Sequence, residues 1–176
     1  MLTTHVRRPP RRQIGDRTGL AASRLAASRP GAAVPGSFPQ MSAFSDDALI
    51  ASAQAVLHPH TVDGRLFGDV AAALVTQAGN HYCGVCIDTG SGTGFCAEHA
   101  AIAAMVTAHE YKIARIVAVW LDDEGVLHVV PPCGRCREFI RQIDPANLDT
   151  DVVLSQTNSA RLRDLLPYNE WPSPHA

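Results

Sequence analysis

Phe95-Cys96-Ala97-Glu98 and, later in the chain, Pro132-Cys133-Gly134-Arg135-Cys136 are the stretches on which the fold and the chemistry turn. Cys133 and Cys136 are three apart, so on the first turn of a helix both sulfurs lie on one side. Cys96 must then come from a second segment to complete a three-sulfur set. Pro132 suits a position at a helix start, where its missing N–H is not needed. A helix N-terminus leaves backbone N–H groups unpaired and carries partial positive charge, both of which favour thiolate over thiol. Three thiolates with no fourth protein ligand describe a zinc ion with an open position, where a water becomes acidic enough to act as a nucleophile near neutral pH. Glu98, two residues beyond Cys96, supplies a carboxylate able to move protons beside that water.

The segments around these motifs read as alternating helices and strands. Ser45-Asp46-Asp47 ahead of Ala48-Leu49-Ile50 predicts an N-capped helix to about Leu57, ended by His58-Pro59-His60. Residues 69–76 and 81–88, joined by Gln77-Ala78-Gly79-Asn80, predict a hairpin, and the Gly-rich stretch 89–94 leads into a helix from Cys96 to about His109. That helix is apolar almost all round, which predicts burial on more than one side. Strands are expected at 113–121, 126–130 and 151–155, a second metal-bearing helix at 133–143 and a short closing helix at 159–166. This order predicts an α/β fold of three layers, α-β-α, around a central mixed five-stranded sheet.

At 176 residues, 46% hydrophobic and 18% charged, the chain suits one packed domain. Residues 1–40 hold seven Arg, one Asp and five Pro, whereas residues 41–176 hold eight basic and sixteen acidic residues. The first segment is expected to be a disordered N-terminal extension ahead of a start at Met41, since its composition builds no core. An organelle-targeting peptide is the alternative, but the prolines spoil the amphipathic helix it needs. The acidic remainder, 41–176, repels a phosphate backbone, which disfavours nucleic acid as a partner. No apolar run approaches a membrane span. Five cysteines, three of them assigned to zinc, leave no disulfide framework and fit a reducing cytoplasm.

The combination of Cys-x-Glu with Pro-Cys-x-x-Cys matches the three-cysteine form of the zinc deaminase signature. From about Phe67 to Trp171 the chain resembles the cytidine deaminase family in its small tetrameric form, and within it the blasticidin S deaminase branch. The resemblance runs through Gly84-Val85-Cys86-Ile87-Asp88, Phe95-Cys96-Ala97-Glu98, Pro132-Cys133-Gly134-Arg135-Cys136-Arg137 and Leu165-Leu166-Pro167. It implies a cytidine deaminase-like fold, Zn2+ held by Cys96, Cys133 and Cys136, and Glu98 as catalytic acid/base. It also implies a homotetramer with shared active sites and a small-molecule nucleoside substrate, cytidine, deoxycytidine or a blasticidin S-type antibiotic, losing its 4-amino group as ammonia. Pyrimidine salvage and antibiotic resistance are the matching biological roles.

Three thiolates over-neutralise a divalent cation, so positive charge is needed nearby. Helix N-termini supply part, and Arg135 is assigned the rest. Its place between the paired cysteines, with His99 after Cys-Ala-Glu, resembles the blasticidin branch. By the same resemblance Cys86 and Asp88 face the sugar, where the cytidine branch has Asn and Glu. Ala97 and Pro132 offer backbone groups to the base edge, and Phe67 and Trp171 are candidate walls for the ring. Cys83 and Cys86 form a second Cys-x-x-Cys, but three apart on a strand they point to opposite faces and share no metal. Two rival readings remain: a non-catalytic protein whose His99 closes a structural Cys3His site, and a deaminase of another small aminated heterocycle.

Overall fold

The computed structural model describes residues 45–170. The expected extension at 1–40, the start at Met41 and the ring wall Trp171 lie outside them. Helix α1 (Asp46–Gln54) is capped as expected, the Ser45 side chain accepting from Ala48 N at 3.2 Å with Asp46 and Asp47 in the first turn. Then come β1 (His60–Val62), β2 (Arg65–Thr76), β3 (His81–Ile87), α2 (Ala97–Thr107), β4 (Ile113–Leu121), β5 (Leu127–Val129), α3 (Gly134–Ile143), β6 (Asp151–Ser155), β7 (Asn158–Arg161) and α4 (Leu162–Leu165).

The sheet is mixed and has seven strands, two more than predicted. β3, β2, β4, β6 and β7 pair in that order, with β4 and β6 parallel and the other pairs antiparallel. Short β1 and β5 add to β2 and β4. No strand is predicted at β1, which begins at the last residue of the helix-ending His58-Pro59-His60. It forms because Asp63 and Gly64 both take positive φ, the backbone a two-residue hairpin requires. β7 replaces the first part of the expected helix at 159–166, which shrinks to α4.

Alternation along β2 builds both cores. Ala71, Ala73 and Val75 pack with Leu49, Ile50 and Ala53 of α1 on one face, while Ala72 and Leu74 join Ala101, Ile102, Met105 and Ile140 from α2 and α3 on the other. The predicted α-β-α layering is the observed one. Helix α2 buries Ala97, Ala101, Ile102 and Met105, yet Ala103 and Ala104 are exposed in the single chain.

Gly84 lets α2 lie directly on β3. A Cβ there would stand 2.4 Å from Ala101 N and 2.5 Å from Ala100 Cβ, too close for any atom. Gly84→Ala is therefore expected to force the helix off the strand and cost roughly 1–3 kcal/mol, read as a lowered denaturation midpoint at unchanged slope.

Helix α3 is anchored at its far end by Asn147, fully buried in the 3-10 turn Pro145–Asp149. Its Nδ2 donates to Tyr111 O at 3.0 Å and Ile140 O at 3.1 Å, and its Oδ1 accepts from Ile113 N at 2.8 Å. One side chain thus satisfies an end-of-helix carbonyl, a loop carbonyl and the first amide of β4.

Candidate metal centre and its cleft

Cys96 and Cys133 are the N-cap residues of α2 and α3, both with extended backbone. The two helices aim their N-termini at one point. There the Sγ atoms of Cys96, Cys133 and Cys136 all lie within 4.8 Å of one another, with Cys133 and Cys136 3.5 Å apart. A tetrahedral zinc with bonds of about 2.3 Å sets its sulfurs roughly 3.8 Å apart, so the cluster has the right size for it. Among the described residues no histidine or carboxylate joins the three. The His99 ring instead packs at a tilt of 54° against Phe139, ring centres 4.2 Å apart, and the Cys3His site is not assembled.

The sulfurs oppose one another's ionisation. Burial and then the charge of Glu98 push the Cys136 thiol far above its ordinary value, and burial raises Cys96. Cys133 moves down: burial works against this, but hydrogen bonds from Cys136 and Cys96, and from the Arg135 backbone, outweigh it. A divalent cation removes that conflict by holding all three as thiolates.

Glu98 is 5% exposed, and burial raises its carboxyl above the ordinary range. A hydrogen bond with the Cys136 thiol opposes that rise. With Pro132 it sits over Ile116, Val117 and Ala118 of β4 and Val152 and Val153 of β6. Ala97 is fully buried beside it.

A cleft of about 430 Å³ opens next to the cluster, its lining including Asp69, Cys86, Asp88, Phe95, Cys96 and Arg135. Cys86, Asp88 and Arg135 were predicted to share the site, and they meet here. Arg135 Nη1 donates to Gly94 O at 3.4 Å, crossing from α3 to the loop before α2. That loop is closed by the Ile87–Phe95 bridge, with both N–H···O bonds at 3.0 Å. Phe67, expected as a ring wall, is half-buried on β2 and does not line the cleft of the single chain. Cys83 lies on the opposite face of β3 from Cys86 and approaches Ser52 O of α1, as the strand spacing predicts. Asp69 and Phe95 were missed. Phe95 could have been found from its place beside Cys96, whereas Asp69 carried no sequence signal.

A three-layer α-β-α sandwich that joins two helix-capping cysteine segments over a mixed sheet is a cytidine deaminase-like fold. Neither a family model nor a curated protein matches the chain. Solved structures do. The cytidine deaminase from Burkholderia pseudomallei is 27% identical with a TM-score of 0.58, covering 70% of this chain and 98% of its own. That from Mycobacterium tuberculosis is 27% identical at a TM-score of 0.56, over 69% of this chain and 94% of its own. That from Mycobacterium leprae, 22% identical at 0.56 over 69% and 96%, shares the fold. These neighbours support a place for the chain in the cytidine deaminase family.

Proposed function

We propose that the chain is a zinc-dependent hydrolytic deaminase that replaces the 4-amino group of a cytosine nucleoside, or of a cytosine-nucleoside antibiotic, by a carbonyl and releases ammonia. The observation that carries this reading is the meeting of three cysteine sulfurs at two helix N-termini with a buried Glu98 against them. Zinc held by Cys96, Cys133 and Cys136 would supply Lewis acidity that activates a water. The rest falls to the chain's own groups.

Glu98 takes a proton from the attacking water and passes it to the ring nitrogen beside C4. It then delivers a proton to the departing amine as the C4–N bond breaks. Its burial suits the task, because it raises the carboxyl above its ordinary range, the direction in which a carboxylate that takes and returns a proton is tuned. Water supplies the oxygen and two hydrogens of the exchange, so the products are the 4-oxo ring and ammonia. We assign the backbone groups of Ala97 and Pro132, both buried, to the base edge, and Cys86 and Asp88, which line the cleft, to the sugar.

Arg135 inside the cysteine pair and His99 after Glu98 favour the blasticidin branch. Removing the guanidinium takes a cation out of the cleft beside Cys96, so Arg135→Ala is expected to lower kcat roughly tenfold or more while zinc content holds. Steady-state kinetics beside metal analysis checks this. Equal kcat would make Arg135 a surface residue. We assign the deaminase to residues 41–176 and place it in a reducing cytoplasm as a homotetramer. The exposed Ala103 and Ala104 of α2 support the oligomer, since small side chains let helices approach closely. Ammonia release from cytidine, deoxycytidine, cytosine and blasticidin S, measured side by side, tests the function. Silence on all four would overturn it.

A further inference from the structure

Strand β2 changes register opposite Cys86. Phe67 pairs with Ile87 and Ala71 with Val85, so Gly68, Asp69 and Val70 together face the single residue Cys86. Gly68 hosts the bulge at φ +71°, where a Cβ would stand 2.7 Å from the His58 carbonyl oxygen. Strict alternation would put Asp69 with Ala71, Ala73 and Val75 on the face covered by α1. The bulge turns it to the other face. There Cys86 Sγ donates to Asp69 Oδ1 at 3.0 Å, and Asp69, Val70 and Cys86 all line the cleft beside Cys96. Bulges next to sites commonly re-aim a side chain in this way.

The turn changes what the sheet wall of the cleft can recognise. Asp69 and Asp88 are acceptors only when ionised, and among the described residues neither makes an ion pair. Arg135, on the α3 side, is bonded to Gly94. A ligand seated against this wall gains by presenting hydrogen-bond donors and loses by presenting an anion, since like charges brought together without screening repel strongly.

We infer that Asp69 is a specificity-determining residue. With Asp88 it makes the cleft select unphosphorylated ligands whose substituent donates hydrogen bonds, hydroxyl or ammonium, and reject a phosphate. The inference rests on the deaminase reading only for the cytosine part of the ligand.

The test is calorimetric binding to the zinc-loaded Glu98→Gln chain, which holds ligands without turnover. The ligands are cytidine, an aminodeoxycytidine and a cytidine monophosphate, the last two substituted at each sugar position in turn. The aminated compound should bind tightest and the phosphate weakest. Adding Asp69→Asn, which keeps an acceptor for Cys86, should narrow the ratio between those two by roughly tenfold or more. Asp69→Ser serves should the first variant not fold. An unchanged ratio in a folded variant overturns the inference and leaves Asp69 as a brace for Cys86. The deaminase reading fails on a different result. If the wild-type chain releases no ammonia yet the binding order and its dependence on Asp69 hold, the selectivity stands without the reaction. If nothing binds, both are lost.

Discussion

Glu98→Gln should keep its zinc and its fold while turnover falls by roughly 10²–10⁴-fold, the range for loss of a positioned acid/base. The amide fills the same space over Ile116, Val117 and Ala118 and still offers an oxygen to the Cys136 sulfur. It has no proton to exchange. Because the loss is confined to proton movement, kcat should drop while substrate affinity stays close to wild type. Metal analysis on the same preparation separates the roles: a variant that loses zinc would put Glu98 among the ligands.

Cys96→Ala, Cys133→Ala and Cys136→Ala should each bring zinc content close to zero and abolish activity. Their stabilities should differ. Cys133 is exposed, so its loss removes a donor and little packing, and that variant should fold and melt like wild type treated with a chelator. Cys136 is fully buried within the core that joins α2 and α3, so its replacement also leaves a void and should melt lower still. Adding chelator should lower the wild-type melting temperature, through loss of a ligand that binds only the folded chain, and leave the cysteine variants unmoved. A wild-type melt indifferent to chelator would argue against zinc at this cluster.

Much of this arrangement is written in local sequence. Both cysteine-capped helices begin one residue after Cys96 and Cys133, and the strands rich in β-branched residues fall near their expected places. What escaped has physical causes. The hairpin of β1 and β2 depends on Asp63-Gly64, a strong turn signal overshadowed by His58-Pro59-His60 just before it. β7 is four residues long with a mostly exposed pattern, too short to show a period. Alanine gives little directional information, so a helix reading as apolar all round has an exposed face in the single chain. Asp69 is invisible because a bulge breaks the alternation on which any strand reading depends. His99 shows the reverse limit: spacing put it on the side of Cys96, but its ring turned to Phe139.

Asn147 grips α3 at Ile140, four residues or about 6 Å along the helix from Cys136. It ties Ile140 and Tyr111 to the first amide of β4, so the last turns of α3 are held against the sheet. Cys133 and Cys136 are therefore brought to their separation during folding, and the ordering entropy of the donor pair is met by hydrogen bonds remote from it. An incoming ion meets a preorganised pair. A zinc held here would exchange without dismantling the helix that holds it, unlike that of small domains which fold only around their metal.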